Sequence, residues 1–202
     1  MYGHFHKAPL RRKVLNMIWR FKWTTLCFGL SAYLFASSGY IHAKALLAQY
    51  LIEDAWIESL HTGEKISPWA WADTWPVAKL TIGDKTLYVL AGATGRVMAF
   101  GPGHMSSTPF PGEAGNAVIT GHRDTHFSLL QEVKIGDVIS TETMDNLSRY
   151  QVLEVRIAHQ DQINLIESGV DDELTLITCY PFNSAAPNPE LRYVVRALKI
   201  EA

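Results

Sequence analysis

Apolar residues enter this chain in three patterns: an unbroken block, a stretch at helical spacing, and then a series of short alternating runs. The block is Trp23 to His42, which contains no Asp, Glu, Lys or Arg. A helix of about 20 such residues is long enough to cross a hydrocarbon core of about 30 Å, so one transmembrane helix is expected over 23–42. From Ala43 to about Leu60, the residues Leu46, Leu47, Tyr50, Leu51, Ile57 and Leu60 recur at roughly helical spacing, and Glu53, Asp54 and Glu58 lie elsewhere on the helix. That pattern predicts a helical stalk continuing the span. A polar break, His61 to Lys65, then leads into Pro68 to Pro76, where Trp69, Trp71 and Trp75 are expected to cover an open end of the domain that follows, with a membrane-surface or partner-recognition role as the alternative.

Beyond Pro76 the period falls to two. The spacing predicts strands at Val77–Ile82, Leu87–Leu90, Val97–Phe100, Ala117–Thr120, Asp137–Thr141, Tyr150–His159, Leu174–Thr178 and Tyr193–Ile200. Gly83-Asp84, Gly92, Gly101-Pro102-Gly103, Pro111-Gly112 and Gly136-Asp137 punctuate them. About eight short strands separated by turns suggest a closed or nearly closed β-barrel. Ser128–Val133 is predicted as a short helix and Ile163–Glu167 as a helical turn. The connection from Phe100 to Ala117 is the long one, and connections of that kind are often functional. The domain reading is therefore a basic segment at 1–22, the span at 23–42, stalk and Trp-rich linker at 43–76, and a β-barrel at 77–202.

Charge adds topology to this picture. The net charge of −2 conceals an asymmetry, since Lys7, Arg11, Arg12, Lys13, Arg20 and Lys22 precede the block without any acid, while the remainder is acidic. Basic residues before a span and few after it orient the N-terminus to the cytoplasm and the rest outward, as in a signal-anchor. A cleavable signal peptide is the competing reading, because Ala43-Lys44-Ala45 loosely resembles a cleavage site. The acidic remainder has no basic stripe, so nucleic acid is excluded as an expected partner.

Of the two cysteines, Cys27 lies in the apolar block and Cys179 near the far end of the chain, so they are not credible disulfide partners. A lone thiol in an oxidising exported compartment is either hidden or useful. Cys179 closes the β run Leu174-Thr175-Leu176-Ile177-Thr178 and is followed by Tyr180-Pro181, where a proline ends the strand. His122 follows a second β run, Val118-Ile119-Thr120-Gly121, and Arg192 opens a third, Tyr193-Val194-Val195. If these strand ends share one mouth of the barrel, thiol, imidazole and guanidinium converge on one carbonyl. Cys179 would then be the nucleophile, His122 the general acid and base, and Arg192 a permanent cation for the oxyanion or the substrate backbone. Thr178 and Tyr180, which flank the thiol, are candidates for substrate contact.

These motifs resemble the signature of sortases, membrane-anchored cysteine transpeptidases. The resemblance rests on Thr175-Leu176-Ile177-Thr178-Cys179, on Gly121-His122 and on an arginine 13 residues past the cysteine. It extends through Thr108 to Asn116, His122 to Phe127, Cys179 to Phe182 and Arg192 to Val195, covering about 77–200. The Trp-rich segment further resembles the proteobacterial type that serves a single target. The resemblance implies a mainly β fold, an eight-stranded sortase-type barrel with one or two short helices. It also implies cleavage of an LPxTG-like C-terminal sorting signal between Thr and Gly, and transfer of the acyl group to an amine. The expected partner is an exported protein bearing such a signal, with the amine acceptor open, no cofactor, and a monomer at the inner (plasma) membrane.

Other candidates stay secondary. Arg196 competes for the guanidinium role, and Asp124 for orienting His122. His104, His122, His126 and His159 show no zinc-ligand spacing, and Asp161, Glu167, Asp171 and Asp172, where some sortases bind calcium, form no recognised loop, so no metal is assigned. A thiol protease that hydrolyses the same acyl-enzyme and a non-catalytic exported β module with a structural cysteine are the alternative readings.

Overall fold

The computed structural model describes residues 19–167, 169, 171–184 and 189–200; the expectations for the basic segment at 1–22 fall almost wholly outside them. In chain order the elements are α1 (Lys22–Thr62), β1 (Pro76–Ile82), β2 (Lys85–Ala91), α2 (Gly95–Met98), β3 (Gly103–His104), β4 (Asn116–Gly121), β5 (Val138–Glu142), β6 (Leu147–His159), β7 (Glu173–Tyr180) and β8 (Leu191–Ile200). Short 3₁₀ helices occupy Ser128–Glu132 and Ile163–Leu165. Contacts divide the described residues into two units, with the boundary between Leu46 and Leu47.

The eight strands close into a barrel in the order β1-β2-β3-β4-β7-β8-β6-β5, with β5 returning to β1. Two pairs, β2 with β3 and β4 with β7, are parallel and the rest antiparallel. Period-2 alternation sorts the side chains: Leu80, Val89, Ile119, Ile139, Leu174, Leu176 and Val195 turn inward and form the core, each essentially inaccessible to solvent. The intervening residues Val118, Ile177 and Val194 turn outward, where they form a second apolar cluster with Ala158, Leu165, Met105 and Ile166. The wall made by β4, β7 and β8 is thus apolar on both faces. The segment that follows β6 covers its outer side.

Seven of the eight expected strands are present to within a few residues, and both short helical segments appear as 3₁₀ turns. Val97–Phe100 is the exception. Residues 95–98 form α2, because the Thr94 hydroxyl caps the turn by accepting a hydrogen bond from the Val97 backbone N–H (3.4 Å). Val97 is then buried against Ile52 of α1 and Leu90 of β2. The eighth strand is the two-residue β3, inside the long connection from Phe100 to Ala117. Tyr88 extends the docking of α1 to β2 by donating to Glu53 (3.1 Å); burial and that carboxylate push its pKa up to about 12, so the phenol stays a donor. In the Trp-rich segment, Trp75 packs on the core and Trp69 sits edge-to-face on Phe100 at 5.0 Å, whereas Trp71 is 85% exposed.

The block Trp23–His42 is helical as expected, but it does not meet the expectation of a span. Among the described residues no helix is long and apolar enough to cross a membrane. The helix itself is long; Thr24, Thr25, Ser31, Ser37, Ser38 and His42 dilute its apolar character.

Leu176 stands in β7 with its side chain wholly in the core. Leu176→Ala is expected to lower unfolding free energy by about 2–5 kcal/mol, measured by denaturant titration, since the strand backbone on both sides prevents the cavity from collapsing.

Candidate active site

Three neighbouring strands bring the candidate residues to one level. In the antiparallel pair β7–β8, Cys179 stands directly opposite Arg192. In the parallel pair β4–β7, the last registered partners are Gly121 and Thr178, so the next residues along, His122 and Cys179, are level with each other. Adjacent strands lie about 4.8 Å apart, which places His122, Cys179 and Arg192 side by side in that order across the wall. All three alternate with inward-facing neighbours and fall on the same face as Val118, Ile177 and Val194. That face is the outside of the barrel. The three groups do share one end of the barrel, but on its outer wall rather than facing into its mouth. The thiol is half-buried and free, and His122 is exposed. β7 runs two residues past Thr178, so Cys179 is held by strand backbone and does not hang from its end.

Small features of the sequence fix this arrangement locally. A Cβ on Gly121 would lie 2.8 Å from the Phe127 ring, so only glycine lets that fully buried ring close beneath the turn. The backbone of the turn returns on itself, with the Phe127 N–H donating to the His122 carbonyl (3.0 Å). Thr178 turns inward, is buried, and donates its hydroxyl to the Gly121 carbonyl (2.7 Å), tying β7 to the base of the His122 turn. Tyr180 is half-buried with its ring stacked on Tyr193 (6.3 Å between centroids) and edge-on to Phe182. Burial, and secondarily Tyr180, raises the Tyr193 pKa.

Arginine placement separates the two guanidinium candidates. Arg196 is registered with Thr175, four residues back from Cys179, and its Nη2 holds Glu173 at 2.5 Å with Glu154 at 3.6 Å from Nη1. Its charge is committed to that network, which raises its pKa chiefly through the Glu173 bond. Arg192, registered opposite Cys179, donates among the described residues to neutral oxygens: the Pro189 carbonyl (2.5 Å), the Leu191 carbonyl (3.0 Å) and the Gln160 side-chain oxygen (3.1 Å). Asp124, weighed as an orienter of His122, pairs instead with Arg123 (3.5 Å) and is largely exposed.

Two residues matter that sequence reasoning did not single out. Arg123 is 6% exposed and donates to the Ser184 carbonyl (2.5 Å), joining the turn that carries His122 to the loop that follows Cys179. Gln160 contacts Arg192. No signal in the sequence marks Gln160; the charge directly after His122 was the one hint of Arg123. The remaining histidines are elsewhere or secondary. His126 has its pKa lowered by burial and then by the neighbouring His122, so it stays neutral more readily than a free imidazole. His104 is buried, stacked on Phe110 (4.7 Å) with Nε2 2.9 Å from the Pro109 carbonyl, and burial lowers its pKa. It lines a cavity of about 400 Å³ with Trp75, Ala91, Thr108 and Phe110, beside the β2 and β3 ends remote from Cys179.

The register thus brings together residue types that could attack a carbonyl, exchange a proton and stabilise an oxyanion. Comparison with known proteins adds to this. A family model described as a sortase domain matches residues 80–200. Sortase D of Bacillus subtilis (strain 168) is 31% identical over 101 residues, covering 50% of this chain and 50% of that protein. Sortase A of Listeria monocytogenes serovar 1/2a is 34% identical over 101 residues, covering 48% of this chain and 41% of that protein. The chain thus spans about half or less of the length of these curated relatives. Among solved structures, sortase A from Corynebacterium diphtheriae superposes with a TM-score of 0.59 at 27% identity, covering 65% of this chain and 64% of that one. A Clostridium perfringens sortase D5 transpeptidase gives 0.62 at 21% identity, covering 77% and 99%, and shares the fold.

The closeness of Gly121 to Phe127 makes a direct prediction. Gly121→Ala is expected to destabilise the protein by about 1–3 kcal/mol in urea unfolding, because the new methyl meets a fully buried ring that has no free direction to move.

Proposed function

The chain belongs to the sortase family, and from the alignment of its three site residues we propose that it is a cysteine transpeptidase acting on an LPxTG-like C-terminal sorting signal. One observation carries this reading: the strand register that sets Cys179 opposite Arg192 and level with His122.

In the proposed reaction the Cys179 thiolate attacks the carbonyl carbon of the signal's Thr, and the electron pair of the carbonyl moves onto oxygen, where Arg192 offers its fixed charge. As the oxyanion collapses, the Thr–Gly bond breaks and the glycine nitrogen leaves with a proton from His122, giving a thioester. An incoming amine attacks the thioester carbonyl and loses its proton to His122. Collapse expels the Cys179 thiolate and completes a new amide. Because His122 is exposed, water also reaches this thioester, and hydrolysis is the competing outcome at the same site. Thr178, expected as a substrate contact, is buried and turned inward, and serves the site only through its hold on Gly121.

Export of the barrel and attachment of the chain to a membrane belong to the same proposal. Exposed apolar side chains on α1, among them Trp23, Leu26, Phe28, Leu34 and Phe35, support contact with lipid. The Trp-rich segment supports assignment to the proteobacterial single-target type.

Cleavage of LPxTG-type peptides tests the chemistry. Cys179→Ala is expected to abolish it with the fold intact by circular dichroism. His122→Ala should come within about tenfold of the same loss, and Arg192→Lys should fall by about 10²-fold or more in kcat, since one ammonium cannot replace the planar guanidinium. Full activity in the cysteine variant would end the proposal. For topology, a reporter fused after residue 62 should be active only when exported. Activity in the cytoplasm would contradict export.

A further inference from the structure

The surroundings of Arg192 contain a selection that the reaction alone does not require. The guanidinium sits among acids: Asp161 follows Gln160 in the chain and Glu190 lies two residues before Arg192. Neither carboxylate is hydrogen-bonded to it. Both lie nearer the His159 ring, whose Nδ1 is 3.1 Å from Asp161 and whose Nε2 is 3.6 Å from Glu190. The side-chain oxygen that does meet Arg192 belongs to an amide, Gln160 (3.1 Å), whose own backbone N–H is fixed on the Glu190 carbonyl (2.8 Å). The other two acceptors are backbone carbonyls.

A carboxylate in place of the amide would grip the guanidinium more strongly, yet it would also cancel the charge that a developing oxyanion needs. A neutral acceptor fixes the plane of the guanidinium and leaves the charge free. Arg196 on the same strand shows the other arrangement, locked by Glu173 and Glu154 and remote from the thiol.

We propose that Gln160 is a positioning residue for Arg192: its amide orients the guanidinium without neutralising it. This rests on the reading of Arg192 given above. The test compares Gln160→Glu and Gln160→Met in the full chain, reading kcat and KM for an LPxTG-type peptide. A merely structural contact ranks Q160E, which keeps shape and acceptor, above Q160M. The proposal reverses that order. Q160E should lose about tenfold or more in kcat with KM within about threefold, and Q160M only about three- to fivefold. Both should keep the wild-type unfolding temperature, as the bond is exposed. Wild-type kcat in Q160E, or a Q160E better than Q160M, overturns the inference. Arg192→Lys, assayed in parallel, separates the two ideas: an impaired R192K with a normal Q160E sinks only the role of Gln160, whereas a fully active R192K removes the role of Arg192 itself.

Discussion

The register of three adjacent strands is the constraint on which the site depends. Because β4 and β7 run parallel while β7 and β8 run antiparallel, the end of β4, the end of β7 and the start of β8 all fall at one end of the barrel. Main-chain hydrogen bonds set the level of His122, Cys179 and Arg192, and side-chain period sets their face. A slip of one residue in either pair would turn one of the three inward, toward Leu176 and Val195. What resists such a slip is burial on both sides of the wall. The core residues of β4, β7 and β8 are wholly inaccessible on the inner face, and Val118, Ile177 and Val194 are covered on the outer one.

Rigid backbone delivers the three groups, and finer contacts prepare them. The absence of a side chain at Gly121 lets Phe127 close under the turn, the Thr178 hydroxyl ties that turn to β7, and Arg123 links it to the loop beyond Cys179. Electrostatics follows the same division. One arginine of β8 is spent on carboxylates at the middle of the strand, while the other, registered opposite Cys179, meets neutral oxygens among the described residues. A barrel wall thus carries a committed cation and an available one four residues apart.

Most of this was legible in the sequence because period and punctuation record burial. Leu174 to Cys179 reads as a strand since its alternate residues serve two different apolar clusters, and Gly121 before His122 marks a close approach. The failures have physical causes too. Val97–Phe100 has strand-forming residues, but a Thr94 cap and a place against Ile52 settle it as helix. Trp23–His42 lacks charge, yet absence of charge is weaker than presence of apolar mass, and its Thr and Ser residues leave it short of a span. The outward direction of Cys179 could not be read either, because a strand buried on both faces gives its alternation no sign. Gln160 and Arg123 contact partners 32 and 61 residues away, a separation that local pattern does not encode.

The claim at the centre is that a thiol held by strand register, between imidazole and guanidinium, becomes an acyl acceptor. The most direct measurement is intact-protein and peptide mass spectrometry of the full chain after brief exposure to an LPxTG-type peptide, with and without an added amine. The account requires the acyl fragment to appear as a hydroxylamine-sensitive thioester on Cys179 and to pass to the amine when one is present. Cleavage of the peptide with the fragment on another residue, or with no dependence on Cys179, would contradict it.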